Sequence, residues 1–459
     1  MNLKTIRLTL VLAMAVPHLL FADVQSSPLR ARTPASDGSK QFKALAPADT
    51  GIDFVHPVDT SHPRKYLYVG GFASAGIAIG DLNGDDLPDI FFSGGPVKNR
   101  VYLQQTPTDG VPRFRDVTNE TGMAGGNAWS AGVTFGDSEG DGDLDSYVCN
   151  DDSPNHLFIN RSESSEELKF VESARDYGLD LVDASFMSTF ADYDQDGDLD
   201  AFVVGYQYVN PAGRPKDLPV VERDGNYFIK DGFRKYYGIV KGEDGRPTFR
   251  NVGRGDYLLR SNASEAGDGQ IRFANVTKSA GIEGLGVGNS ALWWDYNEDG
   301  LPDIYIANDF KVADQLYRNN GNGTFTDVIA DALTHTTWFS MGSEAGDINN
   351  DGKVDLFVTD MAGTTHYRSK VTMGAMGANK LFMETSIPRQ MMRNALFLNT
   401  GTPRFLEGAY LTNLANSDWS WAAKLADLDN DGMLDVYITN GSARMFNHSD
   451  RTFTSEQRY

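Results

Sequence analysis

Short apolar runs and acidic turns alternate along most of this chain. The runs IFFSG, SYVCN, AFVVG, IYIAN, LFVTD and VYITN begin at Ile90, Ser146, Ala201, Ile304, Leu356 and Val436. Each is strand-length and rich in β-branched and aromatic side chains, which fit a pleated, buried surface. A second short segment stands ahead of each turn, as in GIAIG from Gly76, GVTFG from Gly132, STFA from Ser188 and AAKLA from Ala422. Two strands joined by a polar turn are therefore expected at six places.

Between these pairs a further pattern recurs. It reads N-x-L-Y-x-N, a glycine turn, then F-x-D-V-T. Copies are Asn99 to Leu103 with Phe114 to Thr118, Asn155 to Asn160, and Asp256 to Arg260 with Phe273 to Thr277. Later ones are Asp314 to Asn319 with Phe325 to Val328, and Asn394 to Asn399 with Phe405. Each unit thus supplies four short strands, the make-up of a propeller blade. The fold expected is all-β, a β-propeller of four-stranded blades, with six blades visible and a seventh left open. Loop starts are 56, 55, 103, 52 and 80 residues apart, so insertions are expected near 206–255 and 360–392. The second is rich in methionine, including Met361, Met373, Met376, Met383, Met391 and Met392. Phe42 to Ile52 matches the F-x-D-V-T…G-I element, so it is expected to give the last blade its outer strand and close the ring.

The turns themselves carry the chemistry. They are DLNGDDLPD from Asp81, DSEGDGDLD from Asp137, DYDQDGDLD from Asp192, DYNEDGLPD from Asp295, DINNDGKVD from Asp347 and DLDNDGMLD from Asp427. Positions 1, 3, 5 and 9 offer hard oxygen donors. They are Asp81, Asn83, Asp85 and Asp89; Asp137, Glu139, Asp141 and Asp145; and Asp192, Asp194, Asp196 and Asp200. The later three sets are Asp295, Asn297, Asp299 and Asp303; Asp347, Asn349, Asp351 and Asp355; and Asp427, Asp429, Asp431 and Asp435. Calcium takes six to eight oxygens, and a flexible carboxylate loop can provide them. An EF-hand would need Glu at position 12, where this chain has Phe92, Val148, Val203, Ile306, Val358 and Ile438. The loops hold 25 of the 63 acidic residues. Such carboxylates repel one another unless a cation lies among them. About six Ca²⁺ are expected, with the four-acid loops two, three and six binding tightest.

Composition narrows the partners. Sixty-three acids against 41 bases give a net charge of −22, which excludes a general nucleic-acid binder. Lys4, Arg7 and the apolar stretch to Phe21 read as a signal peptide over residues 1–22, followed by a leader over 23–41. No segment is long and apolar enough for a transmembrane helix. The expected location is outside the cell, or the periplasm of a bacterium. The single cysteine, Cys149, allows no internal disulfide and is expected to be a buried small residue.

These loops resemble the FG-GAP/VCBS repeat family, the calcium-loop propellers that include the integrin α-subunit head. The similarity covers about residues 42 to 450. A closer resemblance is to the secreted cartilage acidic protein-like group, through GIDF at Gly51, IANDF at Ile306, VTDM at Val358 and DWSWAA at Asp418. Members of that group often carry an ASPIC/UnbV domain, and none is seen here. The resemblance implies extracellular calcium binding and adhesion or matrix contact. It implies no reaction.

Two functional readings remain beside a structural one. A module binding an extracellular glycan or protein could use Phe72, Trp129, Phe186, Trp338, Phe339, Trp419 and Trp421, which recur just ahead of the loops. Their competing role is packing between blades. A polysaccharide lyase or dehydratase would need a base, which Lys230, Arg234, Lys235, Tyr236 or Tyr237 could supply. The histidines form no spaced metal motif, and no nucleophile elbow or P-loop occurs.

Overall fold

The computed structural model describes residues 42–441, apart from 74, 108–109, 165–167, 214, 218, 242–246, 267–269, 285, 311 and 374–385. The segments read as signal peptide and leader lie outside the described residues, as do Met376 and Met383.

Five consecutive four-stranded antiparallel arrangements fill most of the chain. Unit one is Ile77–Gly80, Asp89–Phe92, Arg100–Gln105 and Arg113–Asp116, paired in that order. Unit two is Trp129–Gly136, Asp145–Pro154, His156–Asn160 and Phe170–Glu172. Unit three is Val182–Ala191, Asp200–Gly205, Tyr257–Arg260 and Ala274–Asn275. Unit four is Gly288–Trp294, Asp303–Asn308, Gln315–Asn319 and Phe325–Asp327. Unit five is Ser343–Gly346, Asp355–Val358, Ala395–Leu398 and Leu406–Glu407. The second strands of units three, four and five are buried along their whole length, as continuous apolar runs should be. First strands of successive units lie side by side, so the sheets follow one another in a curled, propeller-like series.

Apolar side chains from neighbouring sheets interlock between them. One cluster joins Phe91, Val101 and Val117 of unit one to Val133, Val148 and Phe158 of unit two. Another joins Trp294, Tyr305 and Leu316 of unit four to Leu356, Phe397 and Phe405. Burying such side chains stabilises by roughly 1.5–3 kcal/mol each. The sheet-to-sheet interfaces are therefore the core.

Unit six and the chain start differ from expectation. Among the described residues unit six has Asp418–Ala426 paired with Asp435–Asn440, and Met361–Ala362 joins its first strand. Phe42 to Ala46 form no strand. Pro47–Thr50 instead make one helical turn, ended by Gly51 at φ +79°. That turn packs on unit one, where the Arg113 guanidinium donates to the Asp49 carbonyl at 3.0 Å. The same relation recurs along the series: the Gly178 turn meets Phe273 of unit three, and the Gly281 turn meets Phe325 of unit four. The outer strand expected from Phe42 to Ile52 is thus replaced by a docking turn. Ile77 and Ile79 stay 57% and 64% exposed on the first strand of unit one.

Two further features depend on tertiary pairing. Units two and three share one eight-stranded sheet, because Ser153 and Pro154 pair with Asp183 and Val182. Residues 206–255 carry two separate hairpins, Val220–Arg223 with Asn226–Ile229 and Tyr237–Lys241 with Pro247–Asn251. Both hang between the second and third strands of unit three.

Candidate metal centre

All six acidic loops link the first strand of a unit to the second, and all adopt one conformation. The position-1 aspartate closes the turn on itself. Its Oδ1 accepts the N–H of position 5 and its Oδ2 that of position 6, at 2.7–3.1 Å in every copy. The position-5 aspartate then accepts the N–H of position 7 at 2.9–3.1 Å. Position 6 lies in the left-handed region, from φ 66° at Asp86 to 96° at Gly197, which explains its glycines. Position 4 is left-handed too, and there Gln195, Glu298, Asn350 and Asn430 take the strain without glycine.

The position-9 aspartate ties its loop to the strands around it. Its Oδ2 accepts the position-2 N–H, as at Leu82 to Asp89 (2.9 Å) and Leu428 to Asp435 (3.0 Å). In five units its Oδ1 accepts an N–H at or just beyond the end of the third strand, from Gln104, Asn160, Ser261, Asn319 or Asn399 at 2.7–2.8 Å. In those five units the aspartate is buried, whereas Asp435 is not. Burial pushes Asp200 and Asp303 up to about 7 and Asp89 and Asp145 up to about 6, with the loop's other carboxylates adding to the rise. The N–H donors offset part of it. A cation among these oxygens would favour the charged form.

The loops are not equivalent. In loop three, oxygens of Asp192, Asp194 and Asp200 lie within 4.8 Å of one another, and loop six gathers Asp427, Asp429 and Asp435 in the same way. Calcium–oxygen distances of about 2.3–2.6 Å place two donors on one ion within about 5 Å of each other, so both groups fit. Asp194 Oδ1 is also buried, without a hydrogen-bond partner among the described residues. Its Oδ2 is held by Arg260 at 2.7 Å, and Asp196 is held by the same guanidinium at 2.9 Å. Loop two departs from what its four acids suggested. Glu139, one methylene longer, reaches Arg161 with both oxygens and also accepts from Tyr177. In loops one, four and five the position-3 amides of Asn83, Asn297 and Asn349 donate to Asp85, Asp299 and Asp351 at 2.9–3.1 Å.

Neighbouring loops touch. Gln195 donates to the Gly300 carbonyl at 2.6 Å, Asn350 to the Gly432 carbonyl at 3.0 Å, and Lys353 pairs with Glu298 at 3.1 Å. Loops three to six therefore line one end of the sheets.

The opposite end holds the aromatic and cationic residues. Phe72, Trp129, Trp338 and Trp419 are buried, and Trp129 is enclosed by His62, Tyr68 and Arg64. Packing, not display, is their role. Phe186, Phe339 and Trp421 are half-buried. Two of the insertion's candidate cations are paired: Lys235 with Asp152 at 2.7 Å, and Arg234 with Asp231 at 2.9 Å. Tyr237 is buried, while Lys230 and Tyr236 are exposed and half-buried. Arg254, not singled out from the sequence, grips Asp183 through two bonds at 2.6 and 2.8 Å, beside Tyr257. Cys149 is fully buried, and burial pushes its thiol up to about 12. Among the described residues no helix is long and apolar enough to cross a membrane.

Among solved structures, a lectin from Agrocybe aegerita, described as recognising non-reducing terminal N-acetylglucosamine, is similar at 15% identity and a TM-score of 0.30, covering 80% of this chain and 85% of its own. The Vibrio cholerae biofilm matrix protein Bap1 shares 12% identity at a TM-score of 0.30, covering 82% and 68%. The exotype rhamnogalacturonan lyase YesX shares 12% at 0.29, covering 79% and 63%. No curated protein matches the sequence. The model of the FG-GAP-like repeat matches residues 81–148, 139–203, 295–358 and 386–438, a span that includes all six acidic loops. The match does not extend to the narrower cartilage acidic protein-like group. With more than half of its length matched, this chain belongs to the FG-GAP-like repeat family.

Proposed function

We propose that this protein is a secreted propeller of FG-GAP repeats, stapled by calcium at one end, that serves as an extracellular binding module for a glycan or protein. The observation that carries the reading is the sixfold loop. Six separate segments converge on one backbone conformation with the same carboxylate positions, and two of them gather three carboxylates within reach of one ion. Residues Asp192, Asp194 and Asp200, with Asp427, Asp429 and Asp435, would hold it most directly. Bound calcium would neutralise carboxylates that burial and mutual repulsion otherwise raise, and would tie the first two strands of each unit together.

Cross-linking of this kind has a structural rationale. A chain with one cysteine has no internal disulfide. The loops lie where first and second strands would otherwise fray apart. Metal that binds the native state alone stabilises it by RT ln(1 + [L]/Kd), about 2.7 kcal/mol per site at a hundredfold excess over Kd.

The test is calcium stoichiometry by equilibrium dialysis, paired with thermal unfolding in calcium and in EDTA. About six ions per chain and a melting temperature lowered by more than 10 °C on chelation are expected. A chain that takes up no calcium and melts identically in both buffers would refute the reading. Export is tested separately, by N-terminal sequencing of protein recovered outside the expressing cell; an intact Met1 would refute it.

A further inference from the structure

A cleft of about 510 Å³ opens between units one and two, at the end of the sheets opposite the acidic loops. One wall is the glycine-rich turn that leads into unit two, including Gly126 and Asn127. The other is the turn between the second and third strands of unit two, with Ser153 and His156. Phe158 lies at its base and Glu172 at its rim.

The repeat explains why this cleft is unusual. His156 is the second residue of the N-x-L element. The matching side chain is committed elsewhere in the flanking units: Arg100 pairs with Asp116 at 3.5 Å, and Tyr257 donates to Asp183. His156 is only half committed. The Asn150 amide nitrogen donates to the Pro154 carbonyl at 2.7 Å, which fixes that amide's orientation. The same nitrogen lies 3.3 Å from His156 Nδ1, so Nδ1 accepts and the ring proton is on Nε2. Nε2 has no hydrogen-bond partner among the described residues. Burial lowers the imidazole's pKa, so the ring is neutral at pH 7.

Glu172 complements it. Its Oε1 accepts the Ala174 N–H at 3.0 Å, the capping role that Asp116 and Asp327 play in their units. Its Oε2 has no hydrogen-bond partner among the described residues. Among the described residues the side chains of Ser153 and Asn127 have no hydrogen-bond partner either. Gly126, at φ +65°, has open space where a side chain would stand. The cleft thus offers a donor, an acceptor and two hydroxyl- or amide-bearing groups above an apolar base. Pockets of about 300–1,000 Å³ with a few convergent polar groups are the usual form of small-ligand sites. Among the described residues no lysine or arginine lines it, and the chain's net charge is −22, which favours a neutral ligand over an anion.

We propose that this cleft binds the terminal residue of a neutral glycan, an inference that rests on the binding-module reading. A pyranose has one C–H face for the apolar base and vicinal hydroxyls that pair with an Nε2–H donor and a carboxylate acceptor. The cleft's open mouth lets the rest of a saccharide extend outward.

The experiment uses the full chain in saturating calcium. The probes are the methyl glycosides of glucose, galactose, mannose and N-acetylglucosamine, with glucuronate as the anionic control. Saturation-transfer NMR and titration calorimetry read binding. At least one neutral glycoside should bind and glucuronate should not. Glu172→Gln, which keeps an oxygen for the Ala174 cap, and His156→Phe should each weaken binding at least tenfold. Ser153→Trp should abolish it by filling the cleft. Calcium stoichiometry and melting temperature of the same samples report folding independently, and Glu172→Gln carries the test if Ser153→Trp does not fold. Failure of every neutral glycoside to bind a calcium-loaded, folded chain would overturn the proposal. So would binding that Glu172→Gln and Ser153→Trp leave unchanged; that outcome would move the sugar site elsewhere and leave the binding-module reading standing.

Discussion

The two ends of these sheets are built differently. At the loop end, six units repeat one set of hydrogen bonds, from position 1 to positions 5 and 6 and from position 5 to position 7. At the other end nearly every unit differs. Unit two places Asp151 against Arg64, unit three sets Asp183 against Arg254, and unit five buries Asp360 beneath Trp338. A cleft opens between units one and two. The contrast teaches that the repeated end carries a shared structural task, while the varied end is free to acquire a specific one.

Chelation should break the comparison most strongly. Hydrogen exchange after EDTA treatment is expected to lose protection at loop positions 5 to 7 in all six units. The Asp183–Arg254 end should keep its protection at first, because no metal is expected there. Equal loss at both ends would mean that the loops do not act as separate staples.

Arg254→Met attacks the other end. Asp183 is 2% exposed. Burial alone would raise its carboxyl, but Arg254 and Tyr257 outweigh burial and hold it below the ordinary range. Removing the guanidinium, itself about a third exposed, should cost about 3 kcal/mol by chemical denaturation at pH 7, with calcium stoichiometry unchanged. The pair's contribution is present above the unfolded carboxylate pKa and fades as pH falls below about 4. A loss of bound calcium in this variant would show that the two ends are coupled.

Asp314→Asn sharpens the comparison within the repeat. Asn155 of unit two accepts the Asn150 N–H and donates to the Tyr147 hydroxyl; Asp314 of unit four accepts the Asn308 N–H and the Tyr305 hydroxyl. Burial pushes Asp314 up to about 7. Its raised pKa makes the protonated form the native one, so stability present at low pH is lost as pH rises through 7. Asparagine should therefore raise the melting temperature by a few degrees at pH 8 and by clearly less at pH 5. An equal shift at both values would show that Asp314 does not titrate in this range.

The smallest effect separates loops three and two. Asp194→Asn should weaken one calcium site by about tenfold, since ligand charge tunes affinity. Glu139→Gln should leave all affinities within about twofold, because that side chain is already spent on Arg161 and Tyr177. Calorimetric titration distinguishes them, and the reverse ranking would show that loop two gathers its glutamate on binding metal.

Much of the loop end was legible in residues 81 to 89 and their five copies. Every bond that shapes the turn spans no more than seven positions, apart from the one that position 9 makes to the third strand. The glycines at position 6 announced their left-handed backbone; position 4 did not, because Gln195, Glu298, Asn350 and Asn430 adopt it without a glycine. The role of Glu139 was hidden, since Arg161 lies 22 residues away and only the third strand brings it back. The expected outer strand from Phe42 failed for a related reason. A single phenylalanine and a G-I pair do not distinguish a strand from a turn docked on unit one.

By itself the sequence determined the repeat, the all-β class and the six acidic turns between strands, because all three are local patterns of alternation and spacing. The tertiary structure alone decided which carboxylates meet, which cations are already paired, and that His156 and Glu172 share a cleft with Asn127. Those relations join residues tens of positions apart, and they depend on how one sheet packs against the next.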